Sequence, residues 1–191
     1  MEGPPIPRIE TGRLALREWR DEDRAPFAAL NADPRVAEFL SGPLDRVESD
    51  AFVDRILARW AEDGHGLWAV EERASGQFIG FIGLAAPRFQ AAFTPCVEVG
   101  WRLAHDAWGH GYATEGARAA LAFGFERVGL DEIVSFTAPD NVRSRAVMER
   151  IGMTRDAAGD FLHPNMPDGH PLREHVLYRL RREEWARGFA T

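Results

Sequence analysis

The segment with the clearest chemical potential is Trp108 to Thr114, WGHGYAT, which follows an apolar stretch and precedes a helical pattern. Cys96 to Leu103 is predicted to form a strand that is apolar on both faces. Glycines between a strand and a helix let the backbone turn sharply, and the free N–H groups of the first helical turn point outward at the positive end of the helix dipole. The segment therefore predicts a site for a phosphorylated ligand, with a purely structural tight turn as the alternative. The helix is predicted from apolar residues at the spacing of one buried face: Ala117, Ala120, Leu121, Gly124, Phe125 and Val128.

Two other phosphate-binding patterns fit this segment less well. A P-loop requires Lys and then Ser or Thr directly after its last glycine, whereas Gly111 is followed by Tyr112 and Ala113, which argues against a nucleotide triphosphatase. A dinucleotide-binding fingerprint requires a third Gly or Ala where this chain has Thr114. Because Asp140, at the end of the next predicted strand, stands where such domains bind ribose, a nicotinamide-binding domain stays open as an alternative.

The sequence from Trp108 to Glu115, WGHGYATE, resembles the acyl-CoA pyrophosphate loop of the GNAT superfamily of N-acetyltransferases, whose general pattern is Arg/Gln-x-x-Gly-x-Gly/Ala. Gly111 and Ala113 match the last two positions, and Trp108 stands where Arg or Gln is usual. The residue pattern W-G-x-G-Y-A-T-E is typical of the branch that resembles the ribosomal-protein N-terminal acetyltransferases RimJ and RimL. Two further segments are similar to that branch, the first strand and the second motif: Thr11 to Arg17 and Asn141 to Met153.

This resemblance covers nearly the whole chain and implies the GNAT fold, an α/β (α+β) architecture. Its mixed central sheet of about seven strands is flanked by helices and splayed at a V-shaped cofactor cleft. The resemblance implies acetyl-CoA as co-substrate, with the strand before the loop bulged and its backbone bonding the pantetheine arm as if the arm were a strand. The implied cofactor-binding residues are Trp101, Arg102, Leu103, Trp108, Gly109, His110, Gly111, Tyr112, Ala113, Thr114, Asn141 and Ser144.

Transfer of an acetyl group from a thioester to an amine requires an amine that has lost a proton, an anchored carbonyl oxygen and protonation of the departing thiolate. Glu98 lies in the strand before the loop, between Val97 and Val99, where apolar surroundings would raise its pKa toward that of a useful base. In enzymes that this chain resembles, a glutamate on this strand takes the amine proton, often through water. A solvent-facing carboxylate on a half-buried strand is the other interpretation.

The general acid is less clear from the sequence. A tyrosine often fills this role in the wider superfamily, but the corresponding position here is Met148, which cannot donate a proton. Ser144 is therefore the candidate for binding or protonating the thiolate, and a helix-capping serine is the alternative.

Two loops are predicted to flank the site, Pro87 to Pro95 and Phe161 to His175. Aromatic loop residues usually pack on the core, but here they could also form the walls of an acceptor pocket. The histidines fit no standard metal-ligand spacing, so no metal is predicted. The candidate pocket residues are Phe89, Phe93, His163, His170 and His175.

The rest of the pattern predicts elements that position these residues. A strand–helix–strand crossover around the glycine segment predicts parallel pairing with a right-handed connection. Helices are expected after Asp21, Pro34, Asp45 and Asn141, and strands at Arg13 to Trp19, Leu67 to Glu72, Gln77 to Ala85, Ile133 to Thr137 and Val176 to Leu180.

The composition, with 45% hydrophobic and 28% charged residues among 191, is typical of one soluble globular domain, predicted to span 1–191 with a core at about 10–181. The chain has no apolar run long enough for a bilayer and no signal-peptide pattern, so a cytoplasmic location is predicted. The net charge of -7 argues against nucleic-acid binding and is compatible with a cationic amine. The sequence does not distinguish a monomer from a homodimer.

These observations predict an acetyl-CoA-dependent N-acetyltransferase in which a primary amine attacks directly within a ternary complex. A catalytically decayed acyl-CoA-binding sensor is the alternative, because the expected tyrosine is missing. The acceptor is either a small molecule or the α-amine of a protein N-terminus. Two long loops beside one site favour enclosure of a small amine.

Overall fold

A computed structural model describes residues 6–189 of the chain. Residues 1–5 and 190–191, which the predicted span of 1–191 includes, lie outside the described part. The strands are β1 (Ile9–Glu10), β2 (Leu14–Arg17), β3 (Leu67–Glu72), β4 (Gln77–Ala85), β5 (Glu98–Leu103), β6 (Glu132–Thr137), β7 (Thr154–Leu162) and β8 (Glu174–Arg181). The α-helices are α1 (Arg24–Ala32), α2 (Pro34–Ala37), α3 (Arg46–Asp63), α4 (Tyr112–Ala122), α5 (Val142–Arg150) and α6 (Arg182–Phe189). None of these helices is long and apolar enough to cross a membrane.

All eight strands form one mixed sheet in the order β1-β2-β3-β4-β5-β6-β8-β7. Neighbouring strands are antiparallel except β5 and β6, which are parallel as the crossover pattern predicts. Helices α1 and α3 pack on one face, where Phe27 and Phe52 contact Phe81 of β4. Helix α4 packs on the opposite face, where Gly116 lies close to Ile82. We call these the α1 face and the α4 face.

The parallel strands β5 and β6 separate after one residue pair, Glu98 with Val134. At this point the Val134 N–H donates to the Val97 carbonyl at 2.9 Å, and the Ser135 hydroxyl donates to the Val99 carbonyl at 2.9 Å. Beyond it β5 stays paired only with β4. The predicted V-shaped opening is thus confirmed, with its apex at Glu98.

The strand count and several strand boundaries differ from the sequence prediction. Strand β2 is shorter than predicted, β5 begins at Glu98 rather than Cys96, and β8 is longer than predicted. Within residues 6–189 the sheet has eight strands rather than about seven, and β7 occupies a stretch for which no strand was predicted. Most of its residues are exposed, so β7 lacks the apolar alternation by which a strand is recognised. The predicted loop from Phe161 to His175 is consequently shorter, because β7 extends to Leu162 and β8 begins at Glu174.

The predicted bulge in β5 is absent, since its pairing with β4 continues without a register shift from Glu98 to Leu103. The irregularity lies instead on the other side of β4, between β3 and β4, where Gly80 has a φ of 135°. A Cβ at Gly80 would lie 2.1 Å from the Arg102 carbonyl oxygen, so only glycine permits this close approach. The irregular pairing therefore lies between β3 and β4, and the pairing of β5 with β4 is regular.

The buried face predicted for α4 is correct except at its end. Ala117, Ala120 and Leu121 are fully buried, whereas Val128 is 36% exposed. Phe123–Val128 forms a π-helical turn, whose wider spacing rotates the later residues out of the α-helical phase. The core extends beyond the predicted range of 10–181. Trp185 of α6 lies against Phe125, with their ring centroids 5.8 Å apart.

A buried ion pair attaches α1 to the sheet. The Arg17 guanidinium donates two hydrogen bonds of 2.8 Å to the carboxylate of Asp23, and both residues are less than 5% exposed. The same carboxylate accepts the Arg20 N–H at 2.8 Å. Asp23 thus links the start of α1 to β2 through Arg17.

We expect Asp23→Ala to lower the free energy of unfolding by about 3–5 kcal/mol, because it removes the bidentate partner of the buried Arg17 guanidinium and leaves Glu71, at 2.8 Å from Nε, as its remaining carboxylate. Chemical denaturation with fluorescence detection measures this loss. Glu22→Ala is the matched control in the same turn, since Glu22 is 72% exposed in its pair with Arg20 and its loss should cost at most about 1 kcal/mol. Equal effects of the two substitutions would contradict this account of how α1 is held.

Candidate active site

The glycine segment forms a turn that leaves the start of α4 open. Gly109 and Gly111 have φ angles of 77° and 78°, in the left-handed region that favours glycine. Helix α4 begins at Tyr112, and its N-cap residue, Gly111, has no side chain to accept the first N–H groups. These N–H groups are therefore available to an anion at the positive end of the helix.

Helix α4 is fixed in place by a carboxylate that the sequence did not identify. Glu115 Oε1 accepts hydrogen bonds from the Thr11 hydroxyl at 2.6 Å and from the Arg13 N–H at 2.8 Å. The Arg13 guanidinium pairs with Glu115 Oε2 at 2.7 Å and donates to the His110 carbonyl at 2.8 Å. Burial alone would raise the pKa of Glu115, but the hydrogen bonds from Thr11 and Arg13 outweigh it and lower that pKa. The chain before β2 thus holds both the turn and the first turn of α4.

A cleft of about 1280 Å³ opens in front of this turn. All twelve residues predicted to bind the cofactor line it, from Trp101 on β5 to Ser144 on α5. The protein carries a net charge of -7, yet six arginines line this one cleft. The cleft is therefore suited to a large anionic ligand. These arginines are Arg13, Arg35, Arg102, Arg118, Arg143 and Arg150.

Trp108 occupies the position where the family pattern has Arg or Gln. Its indole N–H donates to the Leu103 carbonyl at 2.9 Å, which ties the turn to the end of β5. The Arg143 guanidinium lies over its ring at 4.6 Å from the centroid and pairs with Glu38 at 2.5 Å. A cation from α5 therefore stands beside the tryptophan.

Asn141, rather than Ser144, caps α5. The Asn141 side-chain oxygen accepts the Ser144 N–H at 3.2 Å, and its amide donates to the Thr137 hydroxyl at 2.9 Å. The Ser144 side chain lines the cleft, whereas Met148, one turn later, is only 1% exposed. Because Asn141 caps the helix, capping does not explain the presence of a hydroxyl at Ser144.

Neither tyrosine of the chain takes the place of the general-acid tyrosine that is common in the superfamily. The Tyr178 hydroxyl is buried and donates to Glu149 at 3.1 Å, on the far side of α5. The Tyr112 hydroxyl donates to Glu72 at the entrance of the cleft. Ser144 is therefore the cleft hydroxyl that α5 presents.

Glu98 lies at the apex of the V and not in the lining of the large cleft. Alternation along β5 buries Val99 and Leu103 on the α4 face and turns Glu98, Gly100 and Arg102 to the α1 face. Burial raises the pKa of Glu98 to about 8, because water is excluded and no cation compensates the carboxylate. Burial likewise lowers the pKa of Arg102 to about 10.

The two predicted acceptor loops meet on the α1 face beside Glu98. Phe89 lies 4.7 Å from His163, and His163 lies 4.9 Å from His175, measured between ring centroids. Phe136 follows Val134, the partner of Glu98, by two residues and so lies on the same face. We call the six rings the aromatic cluster: Phe89, Phe93, Phe136, Phe161, His163 and His175.

The aromatic cluster contains four of the five predicted pocket residues and two further rings. His170 makes none of its ring contacts; the His170 ring accepts the Leu172 N–H at 3.1 Å and stabilises a turn of the loop. Phe136 was not predicted because it belongs to a strand, and Phe161 lies in the predicted loop but was not named among its pocket residues. Burial lowers the pKa of His163 and lowers that of His175 to about 4, so both rings are neutral at neutral pH. Among residues 6–189, no group of three potential ligands is placed to hold a metal ion.

Comparison with known proteins agrees with this geometry. A model of the acetyltransferase (GNAT) domain matches residues 13–154. The chain belongs to the GNAT family. It is therefore an acyltransferase of a family that uses acetyl-CoA, and the nicotinamide-binding alternative is wrong.

Three relatives illustrate the range of the family. The FsC-acetyl coenzyme A-N(2)-transacetylase of Aspergillus fumigatus is 33% identical over 95% of this chain and 79% of its own length. The putative ribosomal N-acetyltransferase YdaF of Bacillus subtilis is 26% identical over 90% and 92%, in line with the RimJ/RimL-like branch. The crystal structure of an acetyltransferase from Agrobacterium tumefaciens is 34% identical, with a TM-score of 0.76 over 95% of this chain and 98% of that one.

Gly111→Val should abolish the rise in melting temperature that acetyl-CoA gives the wild type. The added side chain would stand against the N–H groups that we expect to bind phosphate, and stabilisation by a ligand depends on its affinity. Differential scanning fluorimetry with and without acetyl-CoA measures the effect.

The control for this substitution is Gly64→Val, at a glycine with a φ of 69° and no atom within 4 Å of an added Cβ. Both variants carry a strained backbone, of order 1–3 kcal/mol, so both should melt earlier without ligand. Only Gly64→Val should keep the full shift with acetyl-CoA. A full shift in Gly111→Val would refute the placement of phosphate at this turn.

Proposed function

We propose that this acyltransferase moves the acetyl group of acetyl-CoA to a primary amine that attacks directly in a ternary complex. The observation that carries the proposal is the V-shaped opening, which connects an arginine-lined cleft to a carboxylate of raised pKa at its apex. The cofactor would enter along the α4 face and the amine would approach from the α1 face. Both substrates would then meet where β5 and β6 separate.

The cleft supports a position for each part of the cofactor. The pyrophosphate would lie on the open N–H groups at the start of α4, beside Arg13 and Arg143. Arg118 and Arg150, on the outer part of the cleft, would contact the ribose phosphate. The pantetheine arm would follow Trp101 to Leu103, where β5 has no neighbour on the side of β6.

Glu98 would act as the general base. The neutral amine nitrogen attacks the thioester carbonyl carbon, and the Glu98 carboxylate takes, directly or through water, the proton that this nitrogen loses as it becomes an amide. As the nitrogen–carbon bond becomes an amide, the carbon–sulfur bond breaks and the thiolate leaves. Ser144 would donate a hydrogen bond or a proton to that sulfur.

A small amine is the acceptor that the surroundings of Glu98 support best. The two predicted loops contact each other through the aromatic cluster, and this contact restricts the space in front of β6. Two neutral imidazoles within the cluster can accept a proton from the amine or relay it. The α-amine of a protein N-terminus is the second candidate, because YdaF carries a ribosomal name.

The rate of transfer should rise with pH through about 8, because only the ionised carboxylate of Glu98 accepts a proton and burial raises its pKa to that value. The measurement is kcat/KM for thiol release between pH 6 and about 10, with an acceptor whose own pKa lies well below neutral, so that the acceptor does not titrate.

Glu98→Gln is the companion variant. It should lose on the order of 10²- to 10⁴-fold in rate and the dependence on pH, and it should keep the thermal shift with acetyl-CoA. An unchanged pH profile in Glu98→Gln would exclude this residue as the base. Binding of acetyl-CoA by the wild type without transfer to any amine would instead indicate a cofactor-binding sensor.

Ser144→Ala should reduce kcat on the order of 10²-fold and leave the affinity for acetyl-CoA nearly unchanged, if the hydroxyl acts on the departing thiolate. Asn141 continues to cap α5, so the helix should stay in place. Steady-state kinetics together with calorimetric titration of CoA separates the two effects. Equal losses in rate and affinity would identify Ser144 as a residue that positions the cofactor.

A further inference from the structure

Arg102 is a half-buried cation without a carboxylate partner among the described residues. Its guanidinium donates one hydrogen bond, from Nη1 to Asn31 Oδ1 at 2.7 Å. It also lies over the rings of Phe52 and Phe81, at 5.2 and 5.5 Å from their centroids. By contrast, Arg13 in the same cleft is paired with Glu115.

A half-buried guanidinium has lost part of its water, and an anion or further acceptors can replace the hydrogen bonds that this water made. Asn31 supplies one neutral acceptor, and the two aromatic faces add a weaker attraction. A guanidinium has five N–H donors in a planar fork that matches a carboxylate. Because Arg102 also lines the cleft, its remaining donors are available to a ligand there.

Gly100 leaves room between Arg102 and Glu98 on the same face of β5. A Cβ built on Gly100 would meet only Glu98 Oε1, at 3.8 Å. The φ of Gly100 is not in the left-handed region, so the backbone does not require glycine here. The missing side chain therefore creates space, with a base at one end and a cation at the other.

We propose that the acceptor is a small amine that also carries a carboxylate, and that Arg102 binds this carboxylate while the amine lies over Gly100 beside Glu98. This inference rests on the proposed function. Glu98 and Arg102 are four residues apart, which separates their Cα atoms by about 13 Å at a rise of about 3.3 Å per residue. Both side chains lie on the α1 face of β5, on either side of Gly100, so several carbons should separate the amine from the carboxylate.

The test compares ω-amino acids from glycine to 6-aminohexanoate with the alkylamines that lack only the carboxylate. For the wild type we expect kcat/KM of the longer amino acids to exceed that of the matched alkylamines by about 10- to 100-fold, the usual effect of hydrogen bonds to a charged group. Arg102→Met should bring this ratio to about one, and Arg102→Lys should keep part of it. The pantetheine arm would contact the backbone of β5 and not this side chain, so we expect little change in the KM for acetyl-CoA in either variant.

Arg55→Gln is the matched control, because Arg55 lies over the same Phe52 ring at 5.5 Å but on the exposed side of α3. It should leave the ratio unchanged. Melting temperatures verify that each variant is folded, and replacing a half-buried charge by Met need not destabilise the protein.

Equal rates with both series would refute carboxylate binding and leave acetyl transfer intact. A raised KM for acetyl-CoA in Arg102→Met, with both series slowed equally, would assign Arg102 to the cofactor and also refute the inference. Faster transfer to N-terminal peptides than to every amino acid of the series would overturn it as well. The absence of transfer to any amine would overturn both this inference and the proposed function.

Discussion

The single parallel pair between Glu98 and Val134 is the constraint on which the rest of the structure depends. Because β5 and β6 share only this pair, the sheet is continuous at the apex and open beyond it. The Ser135 hydroxyl supplies one further link to Val99, at the point where the backbone ladder ends. An opening through a sheet connects its two faces, which helices otherwise keep apart. The fold thereby brings an anion site on one face within reach of a carboxylate on the other.

The charges around this opening are positioned by other charges. Thr11 and Arg13 bind Glu115, and Arg143 binds Glu38 while it lies over Trp108. An acidic protein can in this way hold a basic cleft, because each paired arginine is oriented before a ligand arrives. Glu98 and Arg102 are exceptions, since both are half-buried and neither has a partner of opposite charge among residues 6–189. Such groups are costly to keep unless they contribute to binding or catalysis.

Local chemistry explains which features the sequence could predict. The left-handed turns at Gly109 and Gly111 follow from glycine spacing, and the bounds of β3, β4 and α5 follow from apolar alternation and capping. All twelve predicted cofactor residues line one cleft because they share a short segment and its two neighbouring elements. Their contacts with a cofactor remain a prediction.

Features that depend on distant contacts could not be predicted in the same way. Thr11 and Glu115 are 104 residues apart, and no local pattern indicates that they meet. Phe136 and Phe161 join the aromatic cluster only because β6, β8 and β7 are adjacent in the sheet. His170 makes none of the cluster's ring contacts, and residue type alone does not tell a pocket histidine from one that closes a turn.

Strand β7 determines how readily another chain can pair with this end of the sheet. It is the outermost strand, and its pairing with β8 is interrupted between Asp156 and Phe161. Arg155 and Asp160 form an ion pair along this interruption. An edge that is broken and charged offers no continuous row of N–H and C=O groups for another strand to join. This end of the sheet is therefore a poor site for strand addition by another chain.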